Sequence, residues 1–177
     1  MRRILLSCVC VGVLMLSASA SARSNGHAGP RPGYLVIRKA SGDGGVNGHP
    51  VVTVVVRGFV LGRVSTTREA RIDVYHLPSA RGGGAPSVVG SPSKRAVRWR
   101  GLRGAEYNGS GYRFRAIGGF YRVVVRGAGV YLFVGGKGNV SVRGSSFNPD
   151  ADGTYSLNGA APRSLPRHLL NRKFGGG

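Results

Sequence analysis

The chain has 177 residues, with 26 Lys and Arg against 6 Asp and Glu, a net charge of +20 near neutral pH. Six carboxylates and four histidines are a thin supply for general acid and base work, so the composition argues against an enzyme and for a protein whose charge meets anions. Neither a disulfide framework nor thiol chemistry is expected, because the two cysteines, Cys8 and Cys10, fall inside a segment that reads as removable.

That segment is residues 1–22. Arg2 and Arg3 precede an apolar run over 4–16, and Ser17-Ala18-Ser19-Ala20-Ser21-Ala22 follows with small residues at the spacing of a secretory cleavage site. The run is too short for an ordinary membrane span. A signal peptide cleaved after Ala22 is therefore expected, with a secreted, extracellular or envelope-associated mature chain. Loss of Arg2 and Arg3 leaves 24 basic residues against 6 acidic, a net +18. The remainder, roughly 150 residues, is long enough for one proper core held by packing alone.

Residues 23–33, rich in Ser, Asn, Gly and Pro, read as a flexible leader, and 34–160 as a single β domain. Its first strand is 34–38. A glycine-rich loop over 41–50 leads to the β-branched run 51–56, which Arg57-Gly58 turns into 59–64. Residues 70–76 form the next strand. The long Pro- and Gly-containing loop 77–93 then divides the domain, ahead of Lys94-Arg95-Ala96-Val97-Arg98-Trp99-Arg100-Gly101-Leu102-Arg103, the densest basic patch. Read as one strand, it puts Arg98 and Arg100 on one face and Val97 and Trp99 on the other.

Residues 112–143 carry the strongest pattern, four apolar-and-arginine runs separated by glycines at 118–119, 127–129 and 135–138. Treating each cluster as a hairpin loop gives a four-stranded meander. One face then holds Tyr112, Phe114, Ala116, Tyr121, Val123 and Val125, extended by Tyr131, Phe133, Val140 and Val142. The other holds Arg113, Arg115, Arg122, Arg126 and Arg143 with Val124, Val130, Leu132 and Val134. Like charges opposite one another cost stability in a sheet. A bound polyanion would offset that cost, as would arginine stems splayed into water.

Residues 148–153, Asn-Pro-Asp-Ala-Asp-Gly, resemble the opening of a calcium loop, but Gly159 stands where a bidentate glutamate belongs, and a plain turn into strand 154–157 is the better reading. The tail, 161–177, has the basic amphipathic pattern of a short helix and is a candidate for touching an anionic membrane surface. No metal-ligand spacing, nucleophile elbow or phosphate loop is present, so no metal and no cofactor is expected.

The expected fold is an antiparallel β-sandwich or partly open barrel of about eight to ten short strands. The expected function is non-catalytic binding of an anionic polymer, such as an envelope polysaccharide, a teichoic-type polymer or nucleic acid. Its contacts would be Arg95, Arg98, Arg100, Arg103, Arg113, Arg115, Arg122 and Arg126, with Trp99 as a stacking platform. Two alternatives remain. One is a self-assembling envelope protein using Val130, Leu132 and Val134 as a contact; the other is a small hydrolase in which Asp73, His49 and His76 converge.

Overall fold

The computed structural model describes residues 33–39, 51–78, 84–143 and 152–175. The expected signal peptide, leader residues 23–32, the loop 41–50, His49 and most of the calcium-like stretch lie outside the described residues.

The fold is all-β, with strands over 72% of what is described and every pairing antiparallel. In chain order the strands are β1 (Gly33–Lys39), β2 (Val51–Val64), β3 (Ala70–His76), β4 (Ser87–Val89), β5 (Ser93–Trp99) and β6 (Leu102–Gly109). They continue as β7 (Arg113–Gly127), β8 (Val130–Arg143), β9 (Thr154–Leu157), β10 (Arg163–Ser164) and β11 (Leu170–Phe174). The sheet is open and runs β10-β9-β1-β8-β2-β7-β3-β6-β5, with β11 added on β8 and β4 on β7.

Instead of eight to ten short strands there are eleven among the described residues, and β2, β7 and β8 at the centre are 14, 15 and 14 residues long. Each runs straight through glycines that the sequence suggests are hairpin turns. Gly58 of β2 faces Gly119 of β7 on one side and Gly136 of β8 on the other, so three apparent turns are one row of glycines across three neighbouring strands. The row is glycine because backbones close on each other there. A Cβ on Gly58 would lie 2.2 Å from the Gly135 carbonyl oxygen, and one on Gly136 2.2 Å from that of Arg57. Gly118, at φ +72, is the extra residue of a bulge, since Phe59 faces Ile117 while Gly58 faces Gly119. It shifts the alternation by one, and Phe114 and Ala116 before it stay on the same face as Tyr121, Val123 and Val125 after it.

The long strands change neighbours at this row. β8 pairs with β1 over 130–136 and with β11 over 138–142; β7 pairs with β4 over 113–115 and with β3 over 121–127. Two half-sheets result, one ending in β3-β6-β5 and the other in β1-β9-β10. They must fold toward each other. β7 ends beside Val51, whereas β8 begins beside Val64, with only Ala128 and Gly129 between. A straight β2 would hold those points roughly 45 Å apart, and the link from Gly127 to Val130 spans only about 10 Å. At the Val64 end of β2 the ladders run on through Val64 N–H to Tyr112 O, Ser65 N–H to Gly129 O and Gly111 N–H to Ser65 O, each 2.8 Å, and the Tyr112 hydroxyl reaches across to the carbonyls of Ala70 and Tyr107 in the other half-sheet.

The inward faces form one core. β2 gives Val52, Val54, Val56, Val60 and Val64; β8 gives Val130, Leu132, Val134, Val140 and Val142; Leu35, Ile37, Ile72 and Tyr121 join them. Val130, Leu132 and Val134 are therefore interior, against the expectation of an outer apolar face. The link at 127–129 is a crossing between half-sheets, with β2 lying between β7 and β8, so counting register across it as a hairpin put 130–134 in the wrong phase, Tyr131 and Phe133 facing outward, while Val140 and Val142 are interior as expected. The tail also differs from expectation. It forms β10 and β11, with Leu165 and Phe174 buried, because the free flank of β8 offers backbone partners at 138–142 that a short isolated helix in water lacks.

Candidate anion-binding faces

Folding the sheet over divides the nominated arginines. Arg113 and Arg115 lie outward on the β1 half; Arg122 and Arg126, beyond the glycine row on the same strand, lie outward on the β3 half, so the four do not make one platform. The basic patch 94–103 is a hairpin and not a single strand. Arg100 and Gly101, at φ +46 and +79, make the two-residue turn between β5 and β6.

On the outer face of the β3 half the arginines are neutralised. Asp73 of β3 sits directly opposite Glu106 of β6, and both carboxylates are buried. Arg126 donates to Asp73 at 2.6 Å and Arg95 to Glu106 at 3.1 Å; Arg71 Nε lies 3.5 Å from Glu106 and 3.9 Å from Asp73. Val124, which faces outward opposite Asp73, is only 2% exposed within this cluster. Arg122 lies over two neighbouring rings, 4.1 Å from the Trp99 centroid and 5.5 Å from that of Tyr75, and Arg100 is 5.1 Å from Trp99. Loss of solvent holds the Arg122 guanidinium below its usual pKa, and burial followed by the Asp73 charge raises the Tyr75 phenol. Trp99 is thus occupied by guanidinium groups of its own chain.

Arg98 and Arg103 face each other on the opposite side of the hairpin. Arg103, Lys94 and His76 rim a 430 Å³ cleft floored by Val74, Ala105 and Tyr107. Asp73 is drawn into the arginine cluster on the far face, so it does not meet His76, whose ring packs 5.5 Å from Tyr121. Among the described residues no group of three His, Cys, Asp or Glu is placed to hold a metal.

The outer face of the β1 half is the contrary case. Register places Thr154, Arg38, Tyr131, Arg63, Arg113 and Val89 in one line across six adjacent strands. Arg38, Tyr131, Arg63 and Arg113 border a 680 Å³ groove that continues over Ser65, Thr66, Gly111 and Gly129 at the closed end. Arg38 lies 5.8 Å from the Tyr131 ring centroid. Among the described residues none of these three arginines, nor Arg115, forms an ion pair with a carboxylate. At about 4.8 Å per strand, the cationic line runs roughly 14 Å from Arg38 to Arg113. Beside it lie Val36, Phe133, Leu61 and Arg115, then Tyr34, Phe59 and Ile117. The Phe133 ring stands 6.2 Å from Tyr34 and 5.7 Å from Phe59.

Arg38, Arg63 and Tyr131 were not singled out by sequence. The available signal was an arginine at the same end of three outward strand faces, but seeing it requires the β1-β8-β2-β7 neighbour order. Compared with protein-family models, curated proteins and solved structures, the chain matches none.

Proposed function

We propose that this chain is a non-catalytic, secreted or envelope-associated basic β-sandwich that binds an anionic polymer across the line Arg38, Arg63 and Arg113, with Arg115 beside it. The observation that carries this reading is the absence of a carboxylate partner for these four guanidinium groups among the described residues, beside a second face whose arginines are tied to Asp73 and Glu106. Arg63 and Arg113 face each other directly, a repulsion that a bridging phosphate, sulfate or carboxylate would relieve. Polymers with regularly spaced anions fit best: an envelope polysaccharide, a teichoic-type polymer or nucleic acid. Arg95, Arg98, Arg100, Arg103, Arg122 and Arg126 contribute long-range attraction, with Trp99 serving to hold Arg122 in place.

A self-assembling role through Val130, Leu132 and Val134 loses its surface, since all three side chains lie in the core. The test is retention on immobilised heparin as a function of salt. Arg63→Gln with Arg113→Gln should elute at lower salt and reduce the slope of log affinity against log salt by about 1.5 to 2. Elution of the parent with neutral proteins at low salt, or an unchanged profile for the double variant, would sink the reading.

A further inference from the structure

The molecule has six large exposed hydrophobic side chains among its described residues, and five of them belong to one face: Tyr34 (41% exposed), Leu61 (38%), Val89 (69%), Ile117 (52%) and Tyr131 (38%). All five lie on the outer face of the β1 half, in the same three cross-strand lines as the unpaired arginines. The opposite outer face has no such display: Val124 is 2% and Tyr75 6% exposed, the Tyr75 ring lying under the Arg122 guanidinium. A hydrated polyanion engages the guanidinium groups and makes no use of the apolar side chains next to them. Scattered exposed hydrophobics need no explanation; an apolar apron bordering a cationic line on one face of the sheet is the signature of an interaction face.

We infer that this face docks on the headgroup layer of an anionic lipid bilayer, an inference that rests on the arginine line being an anion site as proposed above. Lipid phosphates meet Arg38, Arg63 and Arg113. Tyr34, Leu61 and Ile117 enter the interfacial zone, where tyrosine and aliphatic side chains partition together. The chemistry on the page favours lipid over a second copy of the chain. Two copies joined through this face would bring arginine lines toward each other, with no carboxylate among the described residues ion-paired to them.

The experiment is co-sedimentation of the full chain with vesicles of phosphatidylcholine alone and of phosphatidylcholine mixed with phosphatidylglycerol, run beside heparin retention. Pelleting is expected with the mixed vesicles only. Leu61→Ser with Ile117→Ser should weaken vesicle binding by about tenfold or more while eluting from heparin with the parent; Arg63→Gln with Arg113→Gln should weaken both. Both pairs are exposed, and matching circular dichroism confirms that a loss is not unfolding. Heparin retention without vesicle binding overturns the lipid inference and leaves polyanion binding standing. So does an apron variant that pellets like the parent, or a concentration-dependent dimer that Leu61→Ser dissolves. Failure on both heparin and vesicles removes the anion site itself.

Discussion

The two outward faces of the doubled sheet use the same residue type in opposite ways. On one, Arg71, Arg95 and Arg126 close over Asp73 and Glu106, and Arg122 lies over the adjoining rings of Trp99 and Tyr75. On the other, Arg38, Arg63 and Arg113 stand in line with no carboxylate ion-paired to them among the described residues, next to apolar side chains left open to water. Net charge predicts neither. What separates a structural arginine from an available one is the position of a few carboxylates, and in a chain so poor in acids two of them decide it.

The largest test removes both faces together, because both depend on the glycine row. Gly136→Ala should cost about 3–5 kcal/mol, since its Cβ would meet the Arg57 carbonyl and its φ is +132. Gly101→Ala, at φ +79 in open space, should cost only about 1 kcal/mol. Urea unfolding of the two variants reads this, and similar losses would show that the row is not a close approach of backbones.

A second test sharpens the contrast between faces. Asp73→Asn strips Arg126 and Arg71 of a buried counter-charge and should cost about 2–3 kcal/mol, less than a fully buried pair because both arginines keep part of their surface in water. Arg113→Gln should stay within about 0.5 kcal/mol, since it leaves no unpaired group and relieves repulsion with Arg63. Equal shifts in urea midpoint would erase the distinction between the faces.

The smallest effect concerns the closure between them. The Tyr112 hydroxyl donates to the Ala70 and Tyr107 carbonyls at 3.2 and 3.1 Å, and burial, with the Asp73 charge adding, raises its pKa above the ordinary 10.0. A raised folded-state value makes this contribution to stability complete below about pH 10, where the unfolded phenol begins to ionise, and drains it as pH rises further. Tyr112→Phe should cost about 1 kcal/mol at neutral pH and make the alkaline unfolding limb shallower. An unchanged limb would mean that Tyr112 does not contribute to it.

Strand content was legible because alternation is local. The inward set Phe114, Ala116, Tyr121, Val123 and Val125 follows from period-two spacing with one change of phase at 118–119, which a two-residue turn and the Gly118 bulge supply alike. The glycines misled for a chemical reason. The same lack of a Cβ serves a hairpin and a close approach of strands, and Gly58, Gly119 and Gly136 declare their shared line only once β2 is known to lie between β7 and β8. The candidate site failed to show for the same reason. Asp73 meets Glu106, and Arg63 meets Arg113, through pairings dozens of residues apart in the chain.

The neighbour order also governs how the chain reaches this state. β1 has no hydrogen-bonded partner until β8 and β9 exist, roughly a hundred residues later, and β2 must wait for both β7 and β8. Closing such long loops before any pairing rewards them slows folding. The pairings of β1 and β2 therefore form only after most of the chain exists, whereas the β5-β6 hairpin can close by itself beforehand.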